Sequence, residues 1–214
     1  MGDAEEEKRL AAEAAADFVE DGMSVGLGTG TTVAYLLEAL ARRGRAVVYV
    51  ATSVATEEHA RQIGLDVRSF DELSRLDIAI DGADQVSPDM WLVKGGGGAH
   101  TREKIVATAA DRFVVIVSSN KLVGQIHEPV PLELMSFGLA ATMRHIGQCR
   151  LRPLPKTPDG GVLAEYVGEV GEPARLACRL AAQAGVVDHG LFPPELVTEV
   201  LVGTDGKVDR LGRP

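Results

Sequence analysis

The chain has 214 residues, enough for one substantial core with a smaller appended module, and folding would bury about 70% of the unfolded surface. Apolar residues make up 45%, charged residues 25% and aromatics 4%, the balance of an alanine- and valine-rich α/β protein rather than of a disordered chain. A net charge of -9, an acidic start (Asp3, Glu5, Glu6, Glu7) and the absence of any apolar run near ~18 residues exclude nucleic acid as an expected partner, a signal peptide and a membrane span.

Residues 5–20 place Leu10, Ala14 and Phe18, with Ala11, Ala15 and Val19 beside them, at helical spacing, and Asp21-Gly22 ends the pattern. Met23–Leu27 reads as a short buried strand, GTGTT turns the chain, and a helix over Val33–Leu40 stops at Arg42, Arg43 and Gly44. A second βα unit follows, with a strand at Ala46–Ala51, a helix at Ser53–Ile63 and a short edge strand at Asp66–Arg68. Leu76–Ile80 is a strand ending at Asp81, and Trp91–Val93 a strand ending at Lys94. Thr101–Ala109 then reads as a helix, and Arg112–Val117 as a buried strand running into Ser118, Ser119, Asn120 and Lys121. This alternation predicts a parallel sheet covered on both faces, whose ligands bind beyond the carboxyl ends of the strands.

From Pro129 the character changes, with prolines at 129, 131, 153, 155, 158 and 173. Helices at Ser136–Ile146 and Glu172–Ala184 and strands at Cys149–Arg152, Gly161–Val167 and Val186–Leu191 predict a compact α+β module close to a split βαβ arrangement. Leu196–Val202 returns as a final strand to the first domain. The expected domains are 1–128 plus 197–214, and 129–196. Cys149 and Cys178 fall in separate elements with no CxxC spacing, which fits a reduced cytosolic setting, and the five histidines are scattered without metal-ligand spacing.

The run Asp81–Lys104 concentrates the chemistry: two carboxylates, Asp81 and Asp84, then Lys94, four glycines and Glu103. Singly each has a plain role, as turn former, snorkelling lysine or helix-start acid. Together at strand ends and a helix start they describe a proton-transfer site that also holds an anion. GLGTGTT at Gly26–Thr32 lacks the third glycine of a dinucleotide fingerprint, and no acidic residue ends the second strand. Thr29, Gly30, Thr31 and Thr32 instead offer hydroxyls and helix-start amides suited to one phosphate, although threonine caps on a glycine turn account for part of the pattern. Lys121 is a surface charge or a phosphate ligand.

GTGTT, DGAD, KGGGGAHTREK, SNK at Ser119–Lys121, GVVDHGLF at Gly185–Phe192 and GTDGKV at Gly203–Val208 together resemble ribose-5-phosphate isomerase of the A type over nearly the whole chain. The resemblance implies a Rossmann-like α/β domain with a smaller ferredoxin-like α+β domain, a homodimer or homotetramer in the cytoplasm, a sugar phosphate substrate, no cofactor and no metal. It implies interconversion of ribose 5-phosphate and ribulose 5-phosphate in the pentose phosphate pathway. Carried over, Glu103 is the base, Lys94 with the amides of Gly95, Gly96 and Gly97 stabilises the oxyanion, and Asp81 and Asp84 serve ring opening and proton shuttling. Gly82 and Ala83 of DGAD contact the sugar, and Thr29 to Thr32 with Lys121 hold the phosphate, Lys8 approaching it too.

Gln85 stands where the resemblance has glutamate, Gly98 and His100 where it has alanine and an apolar residue, and Thr157–Glu165 strays from its pattern. Competing readings are a sugar-phosphate sensor, a CoA transferase and a dinucleotide oxidoreductase. The first lacks a DNA-binding helix here, the second needs an acyl intermediate on glutamate, and the third fails on the fingerprint.

Overall fold

The computed structural model describes residues 4–212. In chain order the elements are α1 (Ala4–Ala16), β1 (Ser24–Leu27), α2 (Thr31–Arg43), β2 (Val48–Ala51), α3 (Val54–Gln62), β3 (Leu76–Asp81), β4 (Gln85–Val86), β5 (Leu92–Val93), α4 (His100–Ala109), β6 (Ala110–Ser118), β7 (Val130–Leu134) and α5 (Leu139–Ile146). There follow β8 (Cys149–Leu151), β9 (Val162–Tyr166), α6 (Pro173–Ala181), β10 (Val186–His189), β11 (Leu191–Phe192), β12 (Glu199–Thr204) and β13 (Lys207–Gly212). Among the described residues no helix is long and apolar enough to cross a membrane.

The chain divides into two compact units, one comprising the residues up to Ala83, Arg102–Leu122 and those from Glu195 on, the other Asp84–Thr101 and Val123–Pro194. This division differs from the boundaries read in the sequence at 84–101 and 123–128, which fall in the second unit, and at 195–196, which fall in the first. Residues 84–101 fall in the second unit because β5 pairs antiparallel with both β4 and β11. Residues 1–3 and 213–214 of the expected larger domain lie outside the described residues.

The first unit is the expected α/β sheet. Its order among the described residues is β13-β12-β6-β3-β1-β2, parallel except for the β12–β13 hairpin. At the start of β1, Asp77 accepts from Ser24 N at 2.7 Å and Ser24 Oγ at 2.8 Å, which holds its carboxyl below the ordinary range. Gly44 in left-handed conformation closes α2, and the Ser53 hydroxyl caps α3 by accepting from Thr56 N. On α1 the wholly buried face is Ala11, Ala12, Ala15 and Ala16; of the expected stripe Ala14 is only partly buried, as is Phe18, which lies past the helix end at Ala16. The methyl side chains let α1 lie close on α2 and the sheet, so the larger residues sit at the rim. The expected strand at Asp66–Arg68 is reduced to one parallel bridge between Tyr49 and Val67.

In the second unit β7-α5-β8-β9-α6-β10 completes a βαββαβ chain, and the antiparallel sheet order is β10-β7-β9-β8. Its core gathers Val130, Leu132 and Leu134 of β7, Ala164 and Tyr166 of β9, and Leu176 and Leu180 of α6. β7 was not expected in the sequence because Pro131 sits inside it. Pro131 accepts from Gly190 N at 2.7 Å, just past the end of β10, so its missing N–H removes no bond from that ladder.

Candidate active site

In the first unit β1, β2, β3 and β6 run parallel, so their carboxyl ends share one edge, and the strand order reverses between β1 and β3. A reversal of this kind opens a crevice in such sheets. Gly28–Thr32 leaves β1 there and Asp81 ends β3. Asp81 is buried, and its Oδ1 accepts from Thr29 N at 3.1 Å and Gly82 N at 2.7 Å. Gly28 is what permits this: a Cβ there would fall 1.9 Å from Asp81 Oδ1. Thr29 Oγ1 meets Thr52 Oγ1 at 2.9 Å, and Thr56 Oγ1 donates to the Gly28 carbonyl.

Gly30 caps α2 with no side-chain hydrogen bond, so the helix start is not closed by threonine, contrary to the plain capping explanation of GTGTT. Thr31 is exposed and Thr32 half-buried at that start. The unsatisfied amides and dipole of a helix start favour an anion.

Glu103 lies in the first turn of α4 and is 5% exposed, on the buried stripe that includes His100, Val106 and Ala107. Lys121 ends the short turn Ser119–Lys121 after β6, half-buried. That turn is tied down by a residue the sequence reading passed over. Glu7 of α1 is buried and accepts from Ser119 N at 2.9 Å and from Ser119 Oγ at 2.8 Å. The neighbouring Lys8 ammonium pairs with Glu5 at 2.6 Å.

In the second unit Asp84, Lys94 and the glycine turn come together. Asp84 N donates to Val93 O, and Asp84 Oδ2 accepts from Gly96 N at 2.8 Å. The turn closes through Gly98 N to Gly95 O at 2.9 Å. Lys94 is 3% exposed, with its Nζ 5.5 Å from the centre of the Phe192 ring. The GVVDHGLF segment therefore walls Lys94: Leu191 pairs with Val93, and Lys94 N donates to Gly190 O at 2.9 Å. A Cβ at Gly190 would lie 2.1 Å from the Lys94 carbonyl oxygen.

Gln85, Gly98 and His100 each sit in a tightly packed local setting. Gln85 is buried, donates to His127 O at 2.9 Å and accepts from His127 N at 3.0 Å, which an amide does and a carboxylate does not. Gly98 has φ +78, and a Cβ there would fall 2.5 Å from Leu163 Cδ1. His100 is wholly buried against Gly95. Glu133 of β7, also buried, accepts from Thr101 Oγ1 at 2.5 Å and Thr157 Oγ1 at 2.6 Å, binding the start of α4 to the loop after β8. Its sequence signal was weak, a lone acid in an apolar run. Among the described residues no group of three or more His, Cys, Asp or Glu is placed to hold a metal.

Thus Thr29, Gly30, Thr31 and Thr32 with Asp81, Gly82, Ala83, Glu103 and Lys121 belong to the first unit, and Asp84, Lys94 and Gly95 to Gly97 to the second. The chain crosses between the units directly after DGA and directly before Arg102-Glu103.

The family model for ribose 5-phosphate isomerase A (phosphoriboisomerase A) matches residues 48–207. A second, the DeoR C terminal sensor domain, matches residues 3–68 and stops short of Asp81, Asp84, Lys94 and Glu103. Ribose-5-phosphate isomerase A of Rhodopseudomonas palustris (strain HaA2) is 43% identical over 94% of this chain and 96% of its own length. The crystal structure of ribose 5 phosphate isomerase A from Neisseria gonorrhoeae superposes with a TM-score of 0.94 at 32% identity, covering 99% of this chain and 98% of its own. A D-ribose-5-phosphate isomerase in complex with phospho-erythronic acid does so at 0.93 and 32%, covering 99% and 100%. The chain therefore belongs to the ribose 5-phosphate isomerase A family and is an enzyme that isomerises ribose 5-phosphate.

Proposed function

We propose that the chain interconverts D-ribose 5-phosphate and D-ribulose 5-phosphate through an enediolate, with Glu103 as the general base. The observation that carries this reading is a carboxylate 5% exposed in the first turn of α4, following the glycine turn and lysine of the same motif. On the opened sugar, Glu103 takes the C2 proton, the C1 carbonyl becomes the enediolate oxyanion, and the proton returns to C1. No net oxidation or reduction occurs, and the chemistry is assigned to the chain's own side chains and to no cofactor.

The enediolate carries charge that neither sugar has, so donors aimed at it act on the barrier rather than on binding. Lys94 and the amides of the Gly95–Gly97 turn fill that role. Asp81, oriented by its two backbone donors, and Asp84 assist ring opening and move protons between O1 and O2. The uncapped start of α2 with Thr29, Gly30, Thr31 and Thr32, together with Lys121, holds the phosphate, while Gly82 and Ala83 line the sugar. A relative bound to phospho-erythronic acid, an acid with a phosphate, suits such a division between one phosphate end and one reacting end. With a net charge of -9 the attraction has to be local. The same reading includes a cytoplasmic homodimer or homotetramer acting in the non-oxidative pentose phosphate branch.

The test is conversion of ribose 5-phosphate by purified protein in excess EDTA. Ribulose 5-phosphate is expected to form. Binding of ribose 5-phosphate without any conversion would replace this reading with the sensor one.

A further inference from the structure

Arg152 follows β8 and its side chain is only 16% exposed. Its guanidinium donates through Nη1 to the Gly95 carbonyl at 2.9 Å and through Nη2 to the Gly96 carbonyl at 2.6 Å. Glu165 of β9 lies 3.5 Å from Nε and steadies the fork. In a trans peptide the C=O and N–H point opposite ways. The Gly95 carbonyl shares its peptide plane with the Gly96 N–H, and the Gly96 carbonyl with the Gly97 N–H. Two carbonyls turned onto one guanidinium therefore aim both N–H groups away from it. The Gly96 N–H does reach Asp84 Oδ2 on that side, at 2.8 Å, and the Gly97 N–H is likewise turned away from the guanidinium. Glycine peptides resist rotation weakly, because both signs of φ are open to them, so a turn of four glycines needs an external hold.

We propose that Arg152 is a positioning residue for the isomerisation: it locks the 95–96 and 96–97 peptide planes so that the turn's amides are preset donors on the Asp84 side. The inference rests on the proposed role of that turn. A bidentate planar fork is required, which lysine does not supply.

The experiment compares wild type, Arg152→Ala and Arg152→Lys in steady-state kinetics with ribose 5-phosphate, kcat being scaled to the folded fraction from thermal unfolding. Arg152→Ala is expected to lower kcat about 10- to 100-fold, less than or equal to outright loss of an oxyanion donor, with KM within about threefold of wild type. Guanidinium at sub-denaturing concentration should restore part of the alanine variant's kcat and leave wild type unchanged. If Arg152→Ala does not fold, Arg152→Lys carries the test, since it keeps the charge and loses the fork. Wild-type kcat in a folded variant, or a rise in KM alone, overturns the proposal while leaving the isomerase reading intact. An inactive wild type would instead sink that reading.

Discussion

The cradle at Gly28–Thr32 and the turn at Gly95–Gly98 are both short glycine-rich stretches beyond a strand, but they are held differently. The cradle is held by the sheet it leaves: Gly28 N donates to Ile80 O at 3.0 Å, and Thr29 N to the carboxylate ending the adjacent strand. The turn is held by side chains from elsewhere in its unit, namely Arg152 and Asp84, and Gly190 holds the backbone of Lys94 just before it. A cradle built on strand ends inherits its geometry from the fold. A turn of glycines has to be fixed from outside.

Between the two regions, the larger expected effect sits beside the turn. Lys94→Met keeps the packing against Phe192 but removes the cation, and kcat should fall by about 10²- to 10³-fold with the fold intact. Near-wild-type kcat in that variant would take Lys94 out of the oxyanion role.

Next, the two close approaches separate the regions. Gly28→Ala would push the Asp81 carboxylate off its two amide donors, and misplacing a reacting group by about 1 Å can cost up to about 10²-fold in rate. Gly190→Ala meets backbone instead, so it should show mainly as a stability loss of about 1–3 kcal/mol in denaturant melts. The reverse pattern, a stability defect at Gly28 and a rate defect alone at Gly190, would break the comparison.

A smaller effect is expected at Gln85→Glu. The carboxylate would face the His127 carbonyl with no proton to donate, costing about 1–2 kcal/mol at neutral pH. The deficit should shrink on acidification, as the protonated acid regains a donor. A deficit constant across pH would point to packing instead.

Legibility in the sequence follows the same divide. The βα units, the strand-end positions of Asp81 and Lys94 and the helix-start position of Glu103 were readable because they depend on local periodicity and turn chemistry. The burial of Glu103 is a tertiary fact that its helix-start position alone did not decide. β7 was missed because of Pro131, and with it the full βαββαβ order. β13 was missed although Asp205-Gly206, both at positive φ, is a strong hairpin signal. Residues 84–101 were placed with the larger domain because nothing local announces the pairing of Val93 with Leu191, nearly a hundred residues on. Arg152 and Glu7 were invisible for the same reason: each looks like an ordinary surface charge until its partner is brought to it, whereas Glu133 stood out only as a lone acid in an apolar run.

The central claim is that a carboxylate of this chain moves the proton. It is tested most directly by the turnover of Glu103→Gln on ribose 5-phosphate beside wild type, with matching thermal unfolding. A folded protein whose kcat is lower by roughly two to four powers of ten is expected. A folded variant turning over at near the wild-type rate would contradict it.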